Sequence, residues 1–462
     1  MAGEERVTTR LQISGYRFLL RRMEHALVRG DVRMLDDPLR AQSLSLIAGC
    51  VLAVIAVAGC AILAFVRPQG SLGNAPIVMT RQSGALYVRI GDTMHPVLNL
   101  ASARLITGSP ANPEVVGEAA ITTAKRGPLV GIPGAPATVD QPLTGDESGW
   151  TVCDDETTTT VIAGAVQGRS DPGLSVLVTP QSESAAMTYL LYSGSRARVD
   201  LRDHTVVRAL RLDGVTPRPV SRVLLDAIPE APQISAPPIP RAGSPGPPSL
   251  HRFTVGGVVR VIRAQATEYY VVLADGVQRI GEVTADLIRF RNSQRGREII
   301  TVEPDVIGAV PIVHELPVTT FPERAAVADD VVVCGQWRAA GTAANTALLL
   351  ADSLPLGGGA VVNLVQADGN GSNVDGVVIP PGRSAFVRAS GVTGDGRSAG
   401  ALYLVNDSGI VFGIHDEDAA QRLGLSGAPV PAPWPVLARL PRGPELSVQA
   451  ASVVRDSVGS PS

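Results

Sequence analysis

Between Arg40 and Arg67 the chain runs for 26 residues without a charged side chain, AQSLSLIAGCVLAVIAVAGCAILAFV. At about 1.5 Å of rise per residue, one helix of this length exceeds the roughly 30 Å hydrocarbon core of a bilayer. Residues 1–40 precede it, whereas a cleavable signal has a short charged leader and an apolar core of roughly 7–15 residues. The stretch therefore reads as a retained signal anchor and the chain as a single-pass membrane protein. Arginine bias sets its direction. Arg21, Arg22, Arg29, Arg33 and Arg40 lie in residues 21–40, against only Arg67 and Arg81 in residues 67–86. The positive-inside rule puts the N-terminus in the cytoplasm and everything after the span outside.

Upstream, residues 12–30 have helical periodicity. Tyr16, Leu19, Leu20, Met23 and Leu27 fall at i, i+3, i+4, i+7 and i+11, with Arg17, Arg21, Arg22 and Arg29 largely off that stripe. Gly30 is placed to stop the helix. Two readings stand side by side: docking onto a cytoplasmic partner through Tyr16, Arg17, Arg21, Arg22 and Met23, and adsorption to anionic lipid.

Composition removes several function classes. The net charge is -3, with no clustered basic excess for nucleic acid. Of the 40 Lys and Arg residues only Lys125 is a lysine, and it stands in Thr-Ala-Lys-Arg-Gly. A phosphate loop of the form G-x-x-x-x-G-K-[ST] is therefore absent, and a Schiff base could use no other residue. With 48 Gly, 36 Pro and 4% aromatics, short strands and turns outweigh helix.

Cys50 and Cys60 lie in the span ten residues apart, about 1000° of helix, on different faces; they read as small apolar filler. Cys153 and Cys334 lie on the exported side, where disulfides persist. One bridge enclosing 181 residues would restrict the unfolded chain by about 5 kcal/mol in the loop-entropy model. Two unpaired buried thiols are the alternative.

The exported region is organised by a repeated frame. ALYVRIGDTMHPVLNLASARLI (85–106), TYLLYSGSRARVDLRDHTVVRAL (188–210), EYYVVLADGVQRIGEVTADLIRF (268–290) and ALYLVNDSGIVFGIHDEDAAQRLGL (401–425) each open with a tyrosine: Tyr87, Tyr189, Tyr270 and Tyr403. A strand, a turn, a second strand and a short helix follow, with Asp275-Gly276 and Ser408-Gly409 as hairpin signals. No such unit buries its apolar face alone. The expected fold is an α+β exported region, four β-hairpin-plus-helix repeats flanking a central mainly-β domain. Its segments are a cytoplasmic amphipathic stretch at 1–40, the span at 41–66 and the first repeat region at 67–145. The central domain occupies 146–185 and 300–398, with the second repeat at 186–228 and the third at 253–299. A linker with eight prolines occupies 229–252, the fourth repeat 399–446 and a tail 447–462.

Catalytic motifs fail on context. Gly396-Arg397-Ser398-Ala399-Gly400 matches G-x-S-x-G, and the run from Gly394 resembles a dinucleotide fingerprint. Both require a strand before and a helix after, whereas a strand follows here. Asp368-Gly369-Asn370-Gly371-Ser372 begins like a calcium loop but continues with Asn373 and Ile379 where glycine and glutamate belong; it reads as a turn. Histidines 25, 95, 204, 251, 314 and 415 lack zinc spacing, and His415-Asp416-Glu417-Asp418 reads as a helix start. No catalytic residue, cofactor or metal is expected.

The string QISGYRFLLRRMEHALVRGD at Gln12–Asp31, RGPLVGIPGAP at 126–136, Trp150-Thr-Val-Cys153, EYYVVLADGVQRI at 268–280, VIPPGRSAF at 378–386 and VPAPWPVLARLPRGPELS at 430–447 strongly resemble the EccB family of the actinobacterial type VII (ESX) secretion system. The resemblance covers nearly the whole chain. It implies a short cytoplasmic N-terminus, one span of the cell inner membrane, and a periplasmic part with four repeats around a central β domain and one disulfide, carried onto Cys153 and Cys334. It implies assembly with the EccC motor ATPase, EccD and EccE, alongside the mycosin protease, with self-association in a large complex. The exported cargo would be small helical proteins of the WXG100 and PE/PPE kind. Family members are sometimes labelled ATPases. The repeats also resemble cell-wall-binding modules of phage lysins, which implies a peptidoglycan contact. The expected function is a structural subunit of the secretion machinery, with a cell-wall tether and an ATP-hydrolysing subunit as alternatives.

Overall fold

The computed structural model describes residues 9–30, 38–66, 72–145, 147–166, 168–171, 173–181, 187–264, 266–291, 299–341, 343–394 and 400–456. The chain divides into two units, Met1–Ser71 and Leu72–Ser462. In the first, helix α1 (Arg10–Arg29) opens with the Thr9 N–H donating to Gln12 Oε1 at 3.1 Å and closes on Gly30 at φ 68°, a left-handed cap that glycine adopts without strain. Helix α2 (Pro38–Val66) contains a stretch, Ser43–Ile62, long and apolar enough to cross a membrane.

The second unit is mostly β. In its first sheet, Ile77–Thr80, Leu86–Ile90 and Thr93–Val97 form an antiparallel meander. Helix α3 (Leu100–Thr107) follows, and Glu114–Val116 then returns parallel to Ile77–Thr80, leading into helix α4 (Glu118–Thr122). The same order recurs three times. Ser175–Pro180, Thr188–Tyr192 and Ser195–Val199 precede helix α5 (His204–Ala209), with Arg218–Val220 returning into helix α6 (Arg222–Asp226). Val258–Arg263, Ala266–Val272 and Val277–Ile280 precede helix α7 (Glu282–Arg291), with Ile300–Thr301 returning into helix α8 (Pro304–Gly308). Arg383–Ser390, Leu402–Val405 and Val411–Ile414 precede helix α9 (Glu417–Leu423), with Val430–Pro433 returning into helix α10 (Trp434–Leu437).

Each of these sheets is covered on both faces. In the first, Ile77, Val88 and Val97 pack with Ala103 of α3, while Val78, Tyr87, Met94 and Val116 pack with Ile121 of α4. The third repeats the division between Ala285 and Ile288 of α7 and Ile307 of α8. This needs the second strands apolar at successive positions, as in Tyr189-Leu190-Leu191-Tyr192 and Tyr269-Tyr270-Val271-Val272, while a third strand such as Ser195–Val199 alternates. The tyrosines sit on the face of the second, shorter helix. Tyr87, Tyr189, Tyr270 and Tyr403 lie opposite Val78, Val178, Val259 and Val387 respectively on the first strand of their sheets, and all four valines are fully buried.

The unit boundaries differ from those read in the sequence. Ser175–Pro180 and Arg383–Ser390, expected in the central domain, are the first strands of the second and fourth of these sheets. Ile300–Thr301 and α8 likewise belong with the third. A Val-rich strand carries no mark of which sheet receives it, whereas the tyrosine labels only the strand beside it. The second helices are five residues or fewer at α4, α6, α8 and α10, too short to leave a periodic trace. The Asp275-Gly276 and Ser408-Gly409 hairpins form with longer loops, between Val272 and Val277 and between Val405 and Val411. Tight two-residue turns stand instead at Gly91-Asp92, with Gly91 at φ 60°, and at Ser193-Gly194, both at positive φ (46° and 72°).

A fifth sheet runs in the order Ala343–Ala351, Val332–Ala340, Trp150–Asp154, Thr159–Ala163, Gly376–Val378, Val362–Asn363. On one face Trp150, Val152, Val161, Val333 and Trp337 merge with the core under α6 and α10. On the other, Cys153 and Cys334 lie directly opposite each other on neighbouring strands and form the disulfide, both fully buried. The bridge closes a sequence separation of 181 residues.

Beside it Asp154 is 2% exposed. Its carboxylate accepts the Ser221 N–H at 2.6 Å and the Ser221 hydroxyl at 2.9 Å, and Ser221 Oγ in turn accepts the Leu224 N–H, capping α6. The carboxylate thus pins the N-terminus of α6 to the central sheet. Burial pushes its pKa up to about 6, against the Ser221 and Thr159 hydrogen bonds and the Arg218 charge.

Three expectations follow from this clamp and from the bridge beside it. An unfolded aspartate titrates near 3.9, below the folded value, so folding favours the protonated form. The stability Asp154 contributes is therefore highest below about pH 4 and falls by about 3 kcal/mol as the pH climbs to about 6. Urea unfolding of wild type and Asp154→Asn at pH 4 and pH 7 should show their stability difference changing by that amount; a difference independent of pH would refute the assignment. Because both sulfurs are buried, reductant without denaturant should leave Cys153 and Cys334 unlabelled by a thiol reagent. The Cys153→Ala, Cys334→Ala double variant should lose up to about 5 kcal/mol, read as a lower urea midpoint; an unchanged midpoint would contradict the clamp.

Candidate functional site

Within the first unit the α1 stripe is open to solvent. Tyr16 is 65% exposed, Met23 59% and Leu27 86%, with Leu19 and Leu20 beside them. Arg17, Arg21 and Arg22 are exposed on the same helix. A contiguous apolar stripe bordered by cations is the pattern of a surface that another apolar, anionic surface covers. The described side chains of α2 are likewise exposed along Ser43–Ile62, and Cys50 and Cys60 are free thiols on it.

In the second unit the marker tyrosines do not converge on one site. Tyr87 lies under Arg126 with the guanidinium 6.0 Å from the ring centre, and Tyr189 under Arg196 at 5.7 Å. Tyr270 donates its hydroxyl to Glu268 at 3.0 Å, and Tyr403 stacks on Trp434 at 5.5 Å. Each packs its ring into the core of its own sheet, which suits packing rather than chemistry.

What brings the sheets together is a set of interactions that the sequence did not signal. Helix α3 packs against α9, joining Ala101 and Leu105 to Ala419, Ala420 and Leu423 in one core. Helix α5 packs against α7, with Leu210 and Val206 beside Val283 and Leu287. At the first seam two arginines are exchanged. Arg104 Nη1 of α3 donates to the Leu423 carbonyl at the end of α9, 2.9 Å away, and Arg422 Nη1 of α9 donates to the Leu105 carbonyl of α3 at 3.4 Å. Each cation thereby meets the negative end of the other helix's dipole. Gly108 and Gly424, left-handed caps at φ 67° and 90°, stand beside the partner arginines. Arg422 is also held by Asp418 at 2.7 Å.

The chemical motifs resolve into local structure. Asp368 accepts the Ser372 and Asn373 N–H groups, while the Asp368 and Gly369 N–H groups donate to Asp375, so the carboxylates are occupied in a turn. Asp416 caps α9 by accepting the Ala419 N–H at 2.8 Å. His415 Nδ1 lies 2.8 Å from Glu445, whose hydrogen bond and charge raise the histidine pKa. Ser398, with Gly396 and the rest of 395–399, lies outside the described residues. Among the described residues no group of three or more His, Cys, Asp and Glu side chains is arranged to hold a metal ion.

Comparison with known proteins accords with this arrangement. The family described as type VII secretion system ESX-1, transport TM domain B, matches residues 5–460. The ESX-3 secretion system ATPase EccB3 of Mycolicibacterium smegmatis is 38% identical over 476 residues, covering 98% of this chain and 92% of that protein. The ESX-5 secretion system ATPase EccB5 of Mycobacterium tuberculosis is 35% identical over 98% of this chain and 94% of its own length. Among solved structures, a chain of an intact ESX-5 inner membrane complex matches with a TM-score of 0.69 at 34% identity, covering 100% of this chain and 98% of that one. A chain of the EccB3 dimer from the ESX-3 core complex matches with a TM-score of 0.69 at 32% identity, covering 82% of this chain and 100% of that one. Matched in sequence and in fold along almost its entire length, the chain belongs to the EccB family of the type VII secretion system.

Proposed function

We propose that this chain is a structural, membrane-anchored subunit of a type VII secretion complex, building the inner-membrane translocon and its periplasmic face. The observation that carries this reading is the full-length likeness to a chain of an intact ESX-5 inner membrane complex. Helix α2 is the single span, α1 and its Arg-rich surroundings face the cytoplasm, and Leu72–Ser462 is exported. In this reading the four tyrosine-marked sheets are repeats of one unit around the disulfide-clamped central sheet. Residues Tyr16, Arg17, Arg21, Arg22 and Met23 dock α1 onto the cytoplasmic side of the complex, where an EccC-type motor, EccD and EccE are the partners and a mycosin protease stands alongside. A dimer, as in the ESX-3 relative, is the expected form of self-association.

A second reading is favoured by the names of the curated relatives, which call them ATPases. The residues argue against it. Transferring a phosphoryl group needs cations and backbone donors converged on the phosphates, and Lys125, the one lysine, has no phosphate loop around it. The motor subunit is the better source of ATP turnover.

Native purification of the tagged full chain from membranes in mild detergent tests both readings. A large complex containing the motor ATPase and other membrane subunits is expected, and a lone monomer would overturn the subunit reading in favour of a peptidoglycan tether. Arg21→Glu combined with Arg22→Glu should reduce the yield of complex several-fold while the disulfide stays protected; undiminished yield would sink the docking assignment. The purified chain should turn over no ATP above a detergent blank, and stoichiometric turnover would restore the enzyme reading.

A further inference from the structure

Arg104 is 8% exposed, and burial holds its pKa below the ordinary arginine value; a guanidinium stays charged inside a protein. A cation removed from water to this degree is stable only when its N–H groups and its charge are both answered. Here two neutral oxygens answer it: the Leu423 carbonyl at 2.9 Å and Asn112 Oδ1 at 3.1 Å. Its Nε is buried with no hydrogen-bond partner, and no carboxylate among the described residues pairs with it. The exchanged arginine across the seam differs on this point. Arg422 has Asp418 one helical turn before it, and the same place before Arg104 is held by Leu100.

Arg104 also lines a half-open cleft of 580 Å³ bounded by α3, the 139–145 segment, strand Arg383–Ser390 and the chain leaving α9. Phe386, Leu143, Leu423 and Leu425 form buried apolar walls, while Thr144 and Ser426 lie at the exposed rim. Asp140, also in the lining, forms no ion pair with the guanidinium. The volume lies within the range of small-molecule sites, which are mostly apolar with a few fixed polar groups.

We infer that this cleft is a binding site for a ligand with a short apolar body and one oxyanion head, a carboxylate or a phosphate monoester, seated on the guanidinium of Arg104. The oxyanion supplies the missing counter-charge and accepts from the N–H groups of Nη1 and Nη2 that Leu423 and Asn112 leave over, whereas Nε is sealed from the cleft. The apolar body covers Phe386 and Leu425. This site is independent of the subunit role proposed above, since it rests on one side chain and the walls around it.

The test uses the full chain in mild detergent and follows its Tm at constant ionic strength in butyrate, butyl phosphate, and neutral butyramide as control. Binding at ten times Kd should raise Tm by about 2 °C with an oxyanion and not with the amide. Response to butyrate alone assigns an acyl or peptide carboxylate as the source; response to butyl phosphate alone assigns a phosphoester such as a lipid headgroup. Asn112→Asp places an acid beside Nη2, so it should raise the basal Tm and abolish the response; Arg104→Met should abolish it as well. If Arg104→Met does not fold, Asn112→Asp carries the test by itself. Equal behaviour of oxyanions and amide in the wild type, or a response undiminished in Asn112→Asp, would show Arg104 to be a helix cap only and overturn the site.

Discussion

The second unit, Leu72–Ser462, depends on one strand pairing, Trp150–Asp154 against Val332–Ala340. These strands are separated in sequence by two entire sheets, so their pairing carries a large loop-closure cost in the unfolded chain. The Cys153–Cys334 bridge removes part of that cost in advance, and the tryptophan pair Trp150 and Trp337, both almost fully buried, fills the opposite face. Once the pair is formed, Asp154 takes α6 by its N-terminus, and the core continues without a break into the second and fourth tyrosine-marked sheets. The first and third sheets attach one step further out, through the α3–α9 and α5–α7 seams. Local opening free energy should therefore decline outward from the bridge.

Charge burial is tolerated here only where backbone groups can be recruited to answer it. Asp154 receives an N–H and a hydroxyl from the cap of a helix. Arg104 instead gives to the last carbonyl of a helix, and the part-exposed Arg422 to a carbonyl in the last turn of another. These are the groups a helix cannot satisfy internally, so each buried charge also terminates an element and fixes its direction. The positions of α6, α3 and α9 are in this sense set by three ionisable side chains rather than by apolar contact alone.

Much of this was legible in the sequence, and the boundary of legibility has a physical cause. The 26-residue apolar run, the α1 stripe with Gly30, and the tyrosine-led hairpins are written in side chains with a fixed period. The cysteine pair is legible because two thiols were available to one another. The first strand of each sheet was not, since Ser175–Pro180 and Arg383–Ser390 present the same Val-rich face that a central strand does. The seam between α3 and α9 was invisible for a different reason: half of each contact is a main-chain carbonyl, and every residue has one.

The arginine excess that excludes a phosphate loop has a positive use in the fold. Arg89 donates to the carbonyls of Leu72 and Gly73, Arg291 to Ala236, Arg383 to Gln141 and Pro142, Arg388 to Gly400 and Arg455 to Gly131. With Arg104, Arg218 and Arg422 this makes a recurrent device, a planar fork reaching from an element to the open carbonyls of a neighbouring loop or helix end. A lysine ammonium is a compact, strongly hydrated point charge and holds no such geometry. Short helices, many turns and proline-rich connections leave many carbonyls unpaired by regular structure, and guanidinium groups are the side chains best shaped to take them two at a time. The composition that leaves no lysine for a phosphate loop is thus the composition that small, loop-rich sheets require.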